Sequence, residues 1–412
     1  MVLFVTHIRF WSNGWIETLF IKPSFFFHYN GFQWLPQVGD EELYLIFGLL
    51  IATSLFVALG LFYRLSLSIF LVLFTYVELL DATNYLNHHY LVVLLGVLLL
   101  ISPAHKAFSL DVWRKPNLKR SHVASIYTFV LMAQIGVVYT FAGIAKLNPD
   151  WLFEAMPLRI WLPEHRDLPV IGGLLALPIT AYVFSWFGAL YDLTIFFWLT
   201  QRKTRLAAYS TVVVFHVITG ILFNIGIFPV LMITSNLIFF RPELHERFYR
   251  KLGYSFNPSE SPTQRLSKVL RPALMVYFTV QLLLPLRHWL YPGNVLITEE
   301  GYRFSWRVML LEKSGLATFT VTDPKSGRSS EVDNSLYLTS FQEKQMSIQP
   351  DFILQYAHFI ADQYKDRIDD PVVTVNAHVN LNGRSSKRFI DQHANLAQIE
   401  TSLHSKTWVN TW

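Results

Sequence analysis

The chain has 412 residues, 52% hydrophobic, 16% aromatic and only 15% charged, where ordinary soluble domains carry roughly 25% charged residues. That balance excludes a soluble enzyme with a large core and reads as a polytopic membrane protein, and the net charge of +5 sits mostly in loops, where it bears on topology and not on nucleic acid. Cysteine is absent, which excludes thiolate zinc sites and disulfides, and no Asn-x-Ser/Thr sequon with a non-proline middle residue occurs; both facts suit a bacterial membrane facing a periplasm.

In chain order, residues 1–42 read as an N-terminal interfacial segment without a signal peptide. Apolar runs long enough, or nearly long enough, to span follow at about 43–62, 66–81, 90–104, 124–145, 172–199, 206–222, 227–240 and 271–290. These give about eight spans and a transmembrane domain over 43–291. The odd-numbered loops are basic. They carry Arg64, then His105, Lys106, Arg114, Lys115, Lys119 and Arg120, then Arg202, Lys203 and Arg205, then the stretch from Arg241 to Arg271. The positive-inside rule places them in the cytoplasm. The even loops, 82–89, 146–171 and 223–226, then gather His88, Lys146 and Asn224 on the opposite face. Segment 146–171 is too polar to span and too aromatic for a simple loop, which predicts an interfacial stretch.

After 291 the pattern changes. Residues 316–323 and 373–381 alternate as strands do, Asp323–Gly327 and Asn382-Gly383 are turn signals, and 350–366 is amphipathic at helical spacing. Residues 292–412 therefore read as a small α+β domain on the Lys146 face. The fold class is an α-helical polytopic membrane protein with a small C-terminal α+β extramembrane domain.

Lys146 closes an apolar run in Phe-Ala-Gly-Ile-Ala-Lys-Leu-Asn-Pro-Asp-Trp (141–151). It reads either as a snorkelling lysine at a helix end or as a proton-transfer group, since loss of solvent favours a neutral amine. Asp192 and His216 lie within apolar runs, where a polar side chain is costly; each reads as a packing contact or a site residue. The His88-His89 pair does not point to a metal, because neighbours on a helix diverge and no HExxH spacing accompanies them. No phosphate loop and no GxSxG elbow appears.

These residues are familiar in combination. Asp81-Ala-Thr-Asn-Tyr-Leu-Asn-His88-His-Tyr, Val138–Trp151, Tyr191-Asp192-Leu, Phe215-His216, Phe223-Asn-Ile-Gly226, Leu284-Pro-Leu-Arg-His288 and Gly301-Tyr302-Arg-Phe-Ser-Trp306-Arg-Val-Met309 together resemble the vitamin K-dependent gamma-glutamyl carboxylase family. The likeness is closest to its bacterial members with the HTTM domain. The resemblance implies an enzyme that oxidises reduced vitamin K with O2 to the epoxide. The strong base formed on the way would remove a γ-proton from a protein glutamate, and CO2 would be captured to give gamma-carboxyglutamate. Menaquinol is the alternative hydroquinone in a bacterium, and no metal is called for.

Carried over residue by residue, the resemblance makes Lys146 the base and His88 its catalytic support. It gives His216, Asp192, Asn87 and Tyr85 to the cofactor, and Arg159, His288, Tyr302 and Trp306 to the glutamate substrate. Aromatic residues near Tyr85, Phe141, Trp151 and Trp161 offer stacking surface for an apolar quinone reached from the lipid. The implied partners are a glutamate-containing peptide or protein and the lipid membrane, with the enzyme a monomer or homodimer. The implied location is a bacterial inner membrane, active face and C-terminal domain periplasmic.

The chain departs from the family in four places. The long C-terminal region of the animal enzymes is missing, which argues against a propeptide-guided substrate. Gly301 and Arg303 differ from the animal pattern around Tyr302. Met1–Trp11 is a stub of the helix that usually precedes the 15–36 region, so the expected start lies upstream or the helix is lost. Two other readings fit the same residues: a quinol-dependent oxygenase that forms epoxide without carboxylating protein, and a non-catalytic membrane binding protein.

Overall fold

The computed structural model describes residues 1–120, 122–251, 253 and 268–411. Much of the basic stretch expected between Arg241 and Arg271 falls outside the described residues. Helices α1 (Val2–Ser12), α2 (Asp40–Leu59), α3 (Tyr63–Leu80), α4 (Asn87–Ile101), α5 (Ile126–Lys146), α6 (Pro178–Thr200), α7 (Arg205–Leu222), α8 (Phe228–Ser235) and α9 (Leu270–Leu283) form the apolar bundle. Among the described residues, six helical stretches (α2, α3, α5, α6, α7, and α9 with its continuation to Leu290) are long and apolar enough to cross a membrane. Two shorter apolar ones, Asn87–Ile101 and Phe228–Phe239, lie where the remaining runs were expected. The outward sides of these helices are apolar, as with Val183, Trp186 and Leu190 on α6 or Met275 and Val276 on α9. A lipid environment accounts for that pattern and water does not.

Helix ends follow local chemistry. Three carboxylates, Asp40, Glu41 and Glu42, occupy the first turn of α2, where the helix dipole favours negative charge. The start of α3 has no cap of its own; the Asp111 carboxylate accepts from the backbone N–H groups of Phe62 and Tyr63, each at 2.9 Å. At the end of α5, Asn148 caps the next short helix, Pro149–Leu152, and Pro149 stands at its first position. That turn ends α5 at Lys146 and leaves the lysine at the bundle's rim.

The close approach of α5 to α6 comes from small residues. A Cβ at Gly143 would lie 2.8 Å from the backbone nitrogen of Leu193, and one at Gly136 would lie 2.7 Å from the Phe196 ring. Two glycines seven residues apart on one face bring the helix axes together as small residues do in membrane bundles. Asp192, next to Leu193, is thereby carried to Lys146.

The C-terminal domain holds a four-stranded antiparallel sheet in the order β2-β1-β3-β4, with β1 Lys313–Thr322, β2 Ser329–Glu331, β3 Val372–Leu381 and β4 Lys387–Arg388. β1 and β3 pair from Lys313 opposite Leu381 to Thr322 opposite Val372. In this register Ala317, Phe319 and Val321 share a buried face with Val373, Val375, Ala377 and Val379. Helix α10 (Ser340–Met346) opens with a Thr339/Gln342 capping box. Helix α11 (Pro350–Tyr364) lays Phe352, Ile353, Tyr356, Ala357 and Ile360 into the core.

This domain is seated on the rim of the bundle. One hydrophobic cluster runs from the sheet (Phe319, Val375) through α11 to Ala145, Trp151, Leu158 and Leu222 at the helix ends. Polar contacts fix the seat. Arg384 grips both oxygens of Asp150, with Nη1 at 2.7 Å, while Asn382 Nδ2 donates to the same carboxylate at 2.8 Å. Gln342 Nε2 donates to Asp81 at 2.8 Å. Trp161 Nε1 donates to Glu312 at 2.7 Å.

Candidate functional site

Under this seat lies an apolar cavity walled by α5, α6, α7 and α8 and closed by residues 308–309 of the C-terminal domain. Helical spacing selects its lining. Tyr139, Ala142 and Lys146 follow at three- and four-residue intervals on α5; Phe184, Gly188 and Asp192 follow at four-residue intervals on α6. Trp151, Phe215, Phe223 and Phe228 supply aromatic walls, and Val308 and Met309 complete it.

Four of the residues named from the sequence meet here: Lys146, Asp192 and His216, with 6%, 6% and 2% of their surface exposed, and Trp151. Lys146 Nζ donates to Asp192 Oδ2 at 2.7 Å and lies 5.2 Å from the Trp151 ring centroid. The indole is itself anchored, its N–H donating to the Ser185 carbonyl at 2.7 Å. A buried ion pair tolerates the loss of neither partner, because the survivor is then an uncompensated buried charge.

His216 has different company. Its Nε2 is 3.5 Å from the Tyr139 hydroxyl, which also accepts from Asn236 Nδ2 at 2.9 Å and lies 3.4 Å from the Tyr191 hydroxyl. With Nε2 accepting from Tyr139, the imidazole N–H falls at Nδ1, which has no hydrogen-bond partner among the described residues. Tyr139 and Asn236 were not picked out from the sequence. A tyrosine in an apolar run reads as core, and Asn236, 97 residues away, announces no pairing.

The other named residues lie elsewhere. His88, at the start of α4, is buried against Phe228, with ring centroids 6.1 Å apart. Phe228 also contacts His216, at 5.7 Å, so the phenyl ring touches both imidazoles. Tyr85 and Asn87 face the 301–307 segment. The Tyr85 hydroxyl accepts from the Phe304 backbone N–H at 2.7 Å and donates to Asn87 at 3.0 Å, and Asn87 Nδ2 donates to the Arg307 carbonyl at 3.3 Å.

Trp306 is buried and stacks on Tyr90 with centroids 5.1 Å apart. Tyr302 packs at the edge of the C-terminal core. His288 holds the Pro285 carbonyl through Nδ1 at 2.9 Å. Gly301, with φ +78°, is required beside it, since a Cβ would come 2.8 Å from the His288 Cα. Arg159 is partly exposed, with Glu154 3.7 Å away.

Two buried or half-buried carboxylates outside the cavity differ in their surroundings. Asp81 is pushed up to about 6 by burial, opposed by hydrogen bonds from Thr83 and Gln342. Burial would also raise Asp351, but the Arg303 guanidinium, 2.6 Å away, together with Lys406 holds it at about 2.

An aromatic hydroquinone with an apolar tail suits this cavity. Its walls are apolar and aromatic, and its polar groups are confined to one amine–carboxylate pair, a tyrosine, a threonine and an imidazole with an unpartnered nitrogen.

Comparison with known families gives two matches. The HTTM domain matches residues 1–244, and the lumenal domain of vitamin K-dependent gamma-carboxylase matches residues 266–412. No solved structure matches the chain.

Proposed function

Because the chain belongs to the vitamin K-dependent gamma-carboxylase family, we propose that this integral membrane protein couples oxidation of a reduced naphthoquinone by O2 to carboxylation of protein glutamate. The observation that carries the reading is the Lys146–Asp192 pair, buried in an apolar cavity beneath the C-terminal domain. When bound, the hydroquinone (vitamin K hydroquinone or menaquinol) supplies, through its reaction with O2, a base stronger than any side chain.

The residues then divide the work. A proton passed from the Lys146 ammonium to Asp192 leaves a neutral amine and a neutral acid, with no change in the pair's net charge. The amine takes the proton of a hydroxyl placed against it, and the Trp151 face supports the ammonium re-formed. His216 Nδ1–H is a donor for an oxygen on the ring. His88, behind Phe228, supports the same wall, as Tyr85 and Asn87 do by holding residues 304–307. Arg159, His288, Tyr302 and Trp306 serve the glutamate side. The apolar walls exclude the water that would quench a strong base. Residues 43–291 form the catalytic domain, with 1–42 an interfacial segment and 292–412 the cap. The basic loops support a topology in which the active face and cap lie in the periplasm of a bacterial inner membrane. The enzyme is a monomer or homodimer.

The test is purified protein in detergent with reduced vitamin K, a Glu-containing peptide and labelled bicarbonate. Epoxide together with peptide label supports the carboxylase. Epoxide without label from several such peptides transfers the reading to a quinol oxygenase. Neither product, from folded protein, contradicts an enzymatic role.

A further inference from the structure

Three cationic side chains are buried among the described residues: Lys146, Lys313 and Arg307. The two lysines are matched by Asp192 and Glu299, at 2.7 and 2.8 Å. Arg307, 8% exposed, has no carboxylate within ion-pair reach among the described residues, and its Nε is shielded from solvent without a hydrogen-bond partner. A buried charge left unpaired is costly, so a fold that keeps one has a use for it.

Arg307 opens into a second cavity, between the end of α5 and residues 285–305. Among the described residues, no Asp or Glu lines it. Its titratable lining is Arg307 and His288, and His288 already spends Nδ1 on the Pro285 carbonyl. Asn148 is already engaged, its Nδ2 donating to the Ala145 carbonyl at 2.8 Å and its Oδ1 accepting from Trp151 N–H at 3.0 Å, and its neutral amide carries no charge to compensate a guanidinium. Phe141, Leu286 and Trp289 give the remaining wall an apolar character. The next two residues, Val308 and Met309, line the Lys146 cavity, so the 307–309 strip is a wall common to both.

We propose that this cavity is a carboxylate-binding site with Arg307 as its charge partner, and that it receives the side-chain carboxylate of the substrate glutamate. The assignment to glutamate rests on the carboxylase reading. A planar guanidinium grips a carboxylate through two parallel hydrogen bonds, and the apolar wall accommodates the methylenes of a glutamate side chain. Bicarbonate offers the same carboxylate chemistry without the methylenes.

The experiment uses the full chain in detergent, without reduced quinone. It compares binding of a fluorescent Glu peptide with its Gln counterpart to wild type, Arg307→Gln and Arg307→Lys. Wild type is expected to prefer Glu by about tenfold or more, Arg307→Gln to lose that preference to within about twofold, and Arg307→Lys to keep part of it. A Glu preference that persists in folded Arg307→Gln overturns the proposal, and so does a wild type indifferent to the peptides. Bicarbonate that displaces the Glu peptide from wild type at millimolar levels overturns the glutamate assignment. Wild type that binds Glu through Arg307 yet incorporates no label sinks the carboxylase reading and leaves the carboxylate site standing.

Discussion

Lys146 and Lys313 make the same kinds of contact. Each is buried, each pairs with a carboxylate (2.7 Å to Asp192, 2.8 Å to Glu299), each donates to a backbone carbonyl, and each lies near an aromatic ring. Burial pushes the Lys313 ammonium down and Glu299 opposes that. They differ in what lies beyond the pair. Lys313 is closed in by Ile297, Glu299 and the Phe389 ring, and it lines neither of the cavities described above. Lys146 lines a cavity whose other walls hold an imidazole with an unpartnered nitrogen. Burial and pairing make a structural strut; the same pair beside open space and an unsatisfied donor makes a candidate site.

The largest expected effect separates the two directly. Lys146→Ala should lower epoxide formation by about 10³-fold or more, within the range general-base removal produces. Lys313→Met, assayed per folded molecule, should keep its rate and instead lose on the order of 3–5 kcal/mol of stability, because Glu299 is left buried and alone. Thermal unfolding beside the rate assay checks both. An Lys313→Met variant that is folded but inactive would break the distinction.

The carboxylate partners sharpen it. Asp192→Asn should reduce the rate by about 10²-fold, since the amine loses the group that takes its proton, whereas Glu299→Gln should leave the rate within about twofold and lower the melting temperature.

Gly143→Leu tests how the pair is assembled. Its side chain would start 2.8 Å from the Leu193 backbone nitrogen. Forcing α5 from α6 should cost about 1–3 kcal/mol and at least a tenfold loss of rate. Unchanged activity would show that the glycine contact does not position Asp192.

A last effect bears on stability alone and concerns a buried carboxylate whose hydrogen bonds come from neutral groups. Asp81, held at about 6 by burial against an ordinary 3.8, binds its proton more tightly folded than unfolded. Its contribution is therefore most favourable below pH 4, is lost as pH rises through 6, and is constant above. The stability difference between wild type and Asp81→Asn should fall by on the order of 2–3 kcal/mol from pH 4 to 7. A flat difference across that range would contradict the assignment.

Much of this architecture is legible in the sequence because lipid and sheet each impose one simple period. The apolar runs locate the helices, and alternation at 316–323 and 373–381 locates β1 and β3. Charge in the loops and polar residues at depth pointed to Lys146, Asp192 and His216. Their meeting was not legible, because it depends on Gly143 and Gly136 setting a helix separation that no one-dimensional pattern encodes. Arg307 was missed for a related reason: in the polar stretch after the last span an arginine reads as a solvated charge, and only the fold shows it buried with no carboxylate partner among the described residues. Asp150 and Arg384, 234 residues apart, are equally silent until the cap is seated.

The central claim, that the Lys146 amine is the proton acceptor in the cavity, is tested most directly by supplying the missing group. Epoxide formation by Lys146→Ala would be followed with and without a small primary amine such as ethylamine. The rate should be nearly absent alone and rise with amine concentration to a saturating fraction of wild type. Full activity without added amine, or no recovery in a variant that still binds the hydroquinone, would contradict it.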